Sequence, residues 1–146
     1  MESCVTCAGE RGVAELPLRE RIAVDEHWRV AHAFGTALPG WLVLLPRRHV
    51  TAIADLTDAE AVGLGVWQVR LSRALHRVTG CAKTYVAQFA EAPGFGHVHF
   101  HVIPRAVDLA AESRGPSIFG LLDAAHEVPV AERDALAGRL AAYLAE

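Results

Sequence analysis

The alternation of apolar and polar residues divides the chain into short strands and two helices. Alternating stretches at 19–25 and 28–34 predict two strands that meet at a tight turn over residues 25–27. The continuous apolar run at 41–46 predicts a strand that is central or covered on both faces. Residues 83–90 and 97–104 predict two further strands, joined by a loop that contains Pro93, Gly94 and Gly96.

The predicted long helix begins after Thr57, which forms a capping box with Glu60 three residues later. Apolar residues then recur at three- and four-residue steps (Leu64, Trp67, Leu71, Leu75 and Val78), and Gly80 ends the helix. A polar stretch follows the last strand at 108–129, and residues 131–144 predict a closing helix. The pattern therefore predicts an α+β domain with helices on a mostly antiparallel sheet.

Composition narrows the classes of partner and location. The chain has 146 residues, the size of one domain, with 52% hydrophobic and 21% charged residues. A formal net charge of -3 argues against a nucleic acid polymer as partner, although one small phosphorylated ligand needs only a local site. Residues 1–10 lack a signal-peptide pattern and the run at 41–46 is too short to cross a bilayer. With three cysteines, we expect a cytoplasmic protein without structural disulfides.

The segment 97–103 has a histidine at every second position: His97, His99 and His101. In a strand these three side chains share one face, while Val98, Phe100 and Val102 occupy the core face. A neutral imidazole is a good nucleophile and titrates near neutrality, which suits attack on phosphorus. Two other interpretations stay open, namely histidines with purely structural hydrogen bonds and a metal site made from all three.

A Cys-x-x-Cys pair, Cys4 and Cys7, lies near the start of the chain. Such a pair can be redox-active, half of a zinc site or accidental. A redox pair normally opens a helix after a strand, and no such pattern follows Cys7. Four-coordinate zinc needs two more ligands, for which histidines are available. Cys81, at the helix end, is expected to be a small packed residue.

Several segments resemble the histidine triad (HIT) superfamily. His97-Val-His-Phe-His-Val-Ile103 resembles its signature, and the run at 39–49 resembles its Pro-Gly-His, apolar strand and Pro-x-x-His segment. The intervening helix, the strand at 85–88 and Pro104-Arg105 also match, so the resemblance covers about residues 4–105. It implies a five-stranded antiparallel sheet with one long helix, and usually a homodimer. The chain is then one HIT domain over 1–146, with a C-terminal extension from about 106.

The resemblance also implies a set of functional residues. His99 is the expected nucleophile of a covalent phospho- or nucleotidyl-histidine, flanked by His97 and His101, with His101 contacting the phosphate or leaving group. Gln88 matches an amide that binds the phosphate or orients the site, and the backbone at 94–96 (Gly94 to Gly96) is expected beside the phosphates. The expected substrates are small and phosphorylated: nucleotide phosphoramidates, dinucleoside polyphosphates or nucleotide conjugates.

In the branch of the superfamily with an N-terminal cysteine pair, the metal is zinc. Carried over by that resemblance, its ligands are Cys4, Cys7, His49 and His97, and its role is structural.

Three positions depart from the family pattern. Trp41 stands where most members have a histidine that contacts the reactive one, and it either donates a hydrogen bond, stacks on a base or only fills the strand. Ala33 replaces the usual ribose-binding acid or amide. The loop at 89–96 lacks the Gly-Gln-Ser/Thr segment of many nucleotide-hydrolysing members. The segment at 114–119 either folds over the site and supplies the Arg114 guanidinium or is a plain surface loop.

Three functions remain in competition. The first is a hydrolase in which water clears the intermediate on His99. The second is a transferase or phosphorylase that uses the same intermediate with another acceptor. The third is a zinc-stabilised dimeric binding protein with vestigial catalysis, to which Ala33 and Trp41 give weight.

Overall fold

A computed structural model describes residues 4–146 of the chain, and over these residues five strands form one antiparallel sheet. In spatial order β1-β2-β3-β5-β4, the strands are β1 (Ala23–Val24), β2 (Trp28–His32), β3 (Leu42–Pro46), β5 (Phe100–Arg105) and β4 (Lys83–Ala87). The helices are α1 (Val5–Glu10), α2 (Asp58–Thr79) and α3 (Val130–Leu144). The predicted α+β class and the five-stranded sheet with one long and one C-terminal helix are confirmed. Short 3₁₀ helices cover Val13–Glu15, Leu18–Glu20, Ile53–Asp55, Ala111–Ser113, Gly115–Leu121 and Ala124–His126.

No helix within residues 4–146 is long and apolar enough to cross a membrane. The expectation about a leader, drawn from residues 1–10, falls partly on residues 1–3, which lie outside the described residues.

Helix α2 begins and ends where the sequence predicts. Thr57 Oγ1 accepts from the Glu60 N–H at 3.1 Å, and Glu60 Oε1 accepts from the Thr57 N–H at 2.8 Å, which completes the capping box. Gly80 ends the helix in the left-handed conformation with φ 70°, and its N–H donates to the His76 carbonyl. The apolar stripe of this helix faces the sheet, and its residues Trp67, Leu71 and Leu75 are buried in the main core.

The sheet has a separate cluster of buried side chains on each face. The main core lies between the sheet and helices α2 and α3, and Val98, Phe100 and Val102 lie in it, as predicted. The other face carries a smaller cluster of Ala33, Trp41, Ile103 and Ile118, against which Phe119 packs. Because Ile118 and Phe119 belong to the 3₁₀ helix at Gly115–Leu121, the chain after β5 covers the face of the sheet opposite α2.

The strand predicted at 19–25 is wrong over most of its length. Only Ala23–Val24 pairs with β2, and Leu18–Glu20 is a 3₁₀ helix that follows Pro17. The Arg29 guanidinium donates to the Glu20 carbonyl at 2.6 Å, and Arg21 Nε donates to the Leu16 carbonyl at 2.6 Å. The Arg29 side chain therefore takes the Glu20 carbonyl, which a strand over 19–25 would have used in its ladder.

The strand predicted at 97–104 begins later than expected. Strand β5 starts at Phe100, so His97 and His99 precede it and His99 does not lie in the middle of a strand. The reason is that the Val98 N–H donates to the Val50 carbonyl at 2.7 Å, in the loop after β3. Strand β4 likewise ends at Ala87 instead of residue 90, where Ala90 has a φ of 55° that no strand accommodates.

Candidate functional site

The imidazole of the half-buried His99 is held by a hydrogen bond to the backbone of His97. Its Nδ1 lies 2.9 Å from the carbonyl oxygen of His97. A carbonyl oxygen can only accept, so Nδ1 carries the proton and the neutral ring keeps a lone pair on Nε2. The short extended segment before β5 thus presents one defined ring nitrogen of His99 to a ligand.

His101 lies beside His99, with ring centroids 5.0 Å apart, in the centre of the sheet between Val43 of β3 and Ala87 of β4. The ring is almost wholly buried, and Trp41 Nε1 donates to its Nδ1 at 2.9 Å. Burial, and secondly the nearby His99, lowers the pKa of His101 to about 4. His101 is therefore neutral at neutral pH.

An aromatic cluster encloses the buried side of His101. The rings of Trp41 and Phe119 approach it edge-on with centroids 5.6 and 5.1 Å away, and Phe119 also contacts Trp41 and Phe89. Trp41 is fully buried, so its indole contacts His101 and Phe119 and has no exposed face on which a base could stack. Phe119 ends the segment 114–119, for which a fold over the site was one of two expectations, but the side chain expected to reach the site was that of Arg114.

His97 faces away from this cluster, toward the N-terminal cysteines. Its Nε2 donates to the Pro46 carbonyl at 2.7 Å, which leaves the lone pair on Nδ1. That Nδ1 lies 3.6 Å from Cys4 Sγ and 3.6 Å from Cys7 Sγ. Both ring nitrogens of His97 are engaged, so this ring has no nitrogen left for a substrate.

The ligand atoms of Cys4, Cys7, His49 and His97 all lie within 4.8 Å of one another. His49 Nδ1 is 3.2 Å from Cys7 Sγ. For a tetrahedral ion with zinc-like bond lengths, sulfur and nitrogen ligands stand about 3.5 Å apart. Three S···N separations fall near that value, so this set of ligand atoms fits a tetrahedrally coordinated metal ion such as zinc. In the absence of an ion, burial and the adjacent Cys4 raise the pKa of the Cys7 thiol.

Local structure brings these four ligands together. Cys4 caps α1, accepting from the Cys7 N–H at 3.4 Å, so both sulfurs lie on the first turn. The Val5 N–H donates to the Gly94 carbonyl at 3.3 Å, which ties α1 to the loop before His97. The sequence did not predict α1, whose six residues depend on these tertiary contacts.

The other expected substrate contacts lie near this loop. Gln88 follows directly on β4, and its Oε1 is buried with no hydrogen-bond partner among the described residues. Gly94 has a φ of 83°, a left-handed conformation that favours glycine, and the Phe95 N–H between Gly94 and Gly96 already donates to Ala92.

The segment at Gly115–Leu121 does fold over the site, through Phe119, but Arg114 does not point to it. The Arg114 guanidinium donates to the carbonyls of Leu109 and Val107, at 2.8 and 3.4 Å. Ala33 is buried in the apolar cluster under the site and provides no polar group.

Comparison with known proteins finds similar chains among histidine triad proteins and one uridylyltransferase. No protein-family profile matches the chain. A galactose-1-phosphate uridylyltransferase of Haemophilus influenzae is 30% identical over 96 residues, which cover 60% of this chain and 28% of that protein. The chain therefore spans little more than a quarter of the length of this curated relative.

Solved structures match over most of the chain. A zinc-bound histidine triad family protein from Mycobacterium smegmatis has a TM-score of 0.70 and 22% identity, covering 99% of this chain and 94% of that one. A histidine triad protein from Bradyrhizobium japonicum has a TM-score of 0.68 and 26% identity, covering 82% and 86%. A hypothetical histidine triad nucleotide-binding protein from Sulfolobus tokodaii has a TM-score of 0.73 and 16% identity, covering 97% and 92%.

The antiparallel sheet, the three alternating histidines and the cysteine–histidine cluster occur here in one arrangement. The chain has the fold of histidine triad proteins, and its N-terminal Cys-x-x-Cys contributes to a Cys₂His₂ cluster. Proteins of this superfamily are typically nucleotide hydrolases or transferases.

Proposed function

We propose that the chain is a hydrolase of small nucleotide substrates that forms a covalent intermediate on His99. One observation carries the proposal: the 2.9 Å hydrogen bond from His99 Nδ1 to the His97 carbonyl leaves a lone pair on Nε2 of a half-buried ring. The hydrogen bond selects the tautomer of the neutral ring in which Nε2 carries the lone pair needed for attack.

The reaction runs in two displacements. His99 Nε2 forms a bond to phosphorus while the bond from phosphorus to the leaving group breaks, and the leaving group departs with the electron pair. Water then attacks the same phosphorus, the N–P bond breaks, its electron pair returns to Nε2 and the proton from water goes to solvent. His101, 5.0 Å from His99 between ring centroids, is the neighbouring group that contacts a phosphate oxygen.

Gln88 and the loop at 94–96 are the proposed substrate-binding elements. The buried Gln88 Oε1 lacks a donor among the described residues, and a buried acceptor without a partner costs about 1–3 kcal/mol. A hydroxyl or N–H of the substrate would satisfy it. Because Ala33 provides no polar group, a ribose has to be bound by something other than this position.

The test is intact-mass analysis with an alkaline quench, after mixing the protein with nucleotide phosphoramidates, dinucleoside polyphosphates and nucleotide conjugates. We expect a transient adduct on the wild type that His99→Ala abolishes and that the control His27→Ala, in the turn between β1 and β2, retains. Absence of both adduct and turnover with every member of the panel would contradict the proposal and favour a binding protein.

A transferase is the second candidate, favoured by the match to a uridylyltransferase over 96 residues. It uses the same intermediate on His99 but a phosphorylated acceptor in place of water. Adding inorganic phosphate or a hexose 1-phosphate to the reaction separates the two. A transferase gives a new nucleotide product at the expense of the nucleoside monophosphate, whereas a hydrolase gives an unchanged product.

We further propose that the Cys₂His₂ cluster holds a structural zinc ion. The separations of 3.2 to 3.6 Å between sulfur and nitrogen atoms support it, as does the free Nδ1 lone pair of His97. When bound, zinc ties the N-terminal helix α1 to the segments that carry His49 and His97. With all four positions filled by protein, the ion has no open coordination site for substrate.

Metal content tests this assignment. We expect about one zinc ion per purified chain by plasma mass spectrometry. Cys7→Ser should lose it, whereas Cys81→Ser, which changes a buried cysteine of the main core, should retain it. Equal zinc content in the two variants would contradict the assignment.

We also propose a homodimer, as the resemblance implies. Helix α2 exposes three valines along its length (Val62, Val66 and Val69, at 70%, 54% and 49%), and β4 is an edge strand of the sheet formed by residues 4–146. Light scattering after size exclusion should give twice the chain mass, and Val66→Glu should give the monomer mass.

A further inference from the structure

Trp41 determines which nitrogen of His101 carries the proton. The indole Nε1–H lies 2.9 Å from His101 Nδ1, and an indole N–H can only donate. His101 Nδ1 must therefore hold a lone pair. A neutral imidazole has one N–H, so the proton of His101 is on Nε2, at the edge of the ring away from Trp41.

The surroundings of His101 oppose a second proton on this ring. The ring is almost wholly buried, and three aromatic rings pack against it, those of Trp41, Phe119 and His99. A proton on Nδ1 would set two N–H groups against each other inside a buried contact and remove the acceptor of Trp41. Trp41 has 0% of its surface exposed, so its N–H cannot turn to water instead.

We propose that Trp41 is a positioning residue that holds His101 as a neutral Nε2–H donor, able to bind a phosphate oxygen beside His99 but unable to protonate a leaving group. This assignment of Trp41 rests on the geometry alone, whereas its consequence for substrates rests on the proposed function. A neutral imidazole is a very weak acid, so its Nε2–H stabilises negative charge by hydrogen bonding and keeps its proton.

The consequence concerns the class of substrate. When His99 Nε2 bonds to phosphorus and the bond to the leaving group breaks, a phosphate or nucleoside phosphate departs as a stable anion and needs no proton. An alkylamine has to gain a proton as it departs, and a His101 held neutral does not supply it. The site therefore favours phosphoanhydrides, such as dinucleoside polyphosphates, over alkylamine phosphoramidates.

The first experiment measures the tautomer directly, without any substrate. Protein labelled with ¹⁵N-histidine is studied at pH 7 by long-range ¹H–¹⁵N correlation, with His101 assigned from its missing signals in His101→Gln. We expect an Nε2-protonated His101 in the wild type and in Phe119→Leu, which removes a ring contact but keeps the indole donor. In Trp41→Phe we expect a mixture of both tautomers. An Nδ1-protonated or doubly protonated His101 in the wild type overturns the assignment, and this result does not depend on whether Trp41→Phe folds. If Trp41→Phe does fold, an unchanged tautomer of His101 in that variant also overturns the assignment.

The second experiment compares leaving groups on one transferred group. The kcat/KM values are measured at pH 7 for AMP joined to ATP, to p-nitrophenolate and to n-propylamine. We expect the amine to react at least about 100-fold more slowly than either anion, the usual contribution of a general acid. An amine within ten-fold of the anhydride overturns the substrate inference while the tautomer result stands. Turnover of none of the three contradicts the proposed function and the substrate inference together, and the assignment of Trp41 is then decided by the spectra.

Discussion

Substituting Gly63 by alanine adds one methyl group where helix α2 packs most closely against a buried tryptophan of the sheet. A Cβ built on this residue meets Cδ1 and Nε1 of Trp28, each at 2.9 Å. Trp28 is fully buried, and its Nε1 donates to the Glu60 carbonyl at 3.0 Å. The indole therefore cannot move away without disturbing the core packing or breaking this hydrogen bond. We therefore expect Gly63→Ala to force a shift of the helix or of the indole.

The magnitude follows from two opposing effects. Alanine in a helix interior is more favourable than glycine by about 1 kcal/mol. Carbon atoms in contact normally stand about 3.5–4.0 Å apart, so an approach at 2.9 Å is overpacking, which costs about 1–3 kcal/mol. A broken indole hydrogen bond adds about 1 kcal/mol or more. Gly63→Ala should therefore lower the free energy of unfolding by about 1–3 kcal/mol.

Gly65 provides a matched control in the same helix, since nothing lies within 4 Å of a Cβ built there. Gly65→Ala should raise the free energy of unfolding by about 0.5–1 kcal/mol. The assay is urea unfolding followed by far-ultraviolet circular dichroism at one protein concentration, comparing midpoints at equal m-values. A Gly63→Ala variant as stable as Gly65→Ala would refute the reasoning. Because the Trp28 ring packs edge-on against Phe100 with centroids 6.0 Å apart, any displacement also reaches the residue between His99 and His101.

Three further predictions concern the metal cluster, acid stability and the aromatic cover of the site. Removing the metal with a chelator should lower the thermal midpoint by on the order of 10 °C, reversibly on adding Zn²⁺, and an unchanged midpoint would contradict a structural role. Arg48 donates to the Glu60 carboxylate at 2.8 Å and lowers the pKa of Glu60 from 4.5 to about 2. The ionised Glu60 carboxylate therefore stabilises the fold fully above pH 4.5, and this contribution is lost as the pH falls toward 2. Stability measured over that interval should fall less steeply in Glu60→Gln than in the wild type, and equal slopes would exclude this carboxylate as the cause. Phe119→Ala should lower the free energy of unfolding by about 2 kcal/mol. It should also raise the pKa of His101 from about 4 toward 6.5, because burial is the main cause of the low pKa. An unchanged pKa of His101 in an NMR titration would argue against burial as that cause.

Features whose signals are local in the sequence were predictable. Helix α2 has its capping box, its apolar stripe and its terminal Gly80 within one continuous segment, and all three are confirmed. The apolar run at 41–46 was expected to be central or covered on both faces, and β3 is the middle strand of the sheet. The core positions of the histidine segment follow from alternation, which persists although β5 begins only at Phe100.

Features that depend on distant partners were not predictable in the same way. Helix α1 ends at Glu10, whose carboxylate accepts from Arg29 at 2.5 Å and from Arg47 at 3.1 Å, residues of β2 and of the loop after β3. Phe119 reaches the site from a stretch with no periodic pattern, so only its tertiary contacts identify it. The resemblance carried over the cysteine and histidine ligands but not the consequence of Trp41, since that depends on which ring atom the indole meets.

The three histidines show why a sequence pattern alone underdetermines chemistry. Alternation places them in one short segment, yet each imidazole has a different partner. His97 donates from Nε2 to a carbonyl and keeps Nδ1 for the cysteine cluster, whereas His99 donates from Nδ1 to a carbonyl and keeps Nε2. His101 accepts at Nδ1 from Trp41 and so presents an N–H where His99 presents a lone pair. One residue type thus supplies a lone pair directed at the cysteines, a free lone pair on Nε2 and an N–H donor, and the difference lies in the carbonyls and the indole beside the rings.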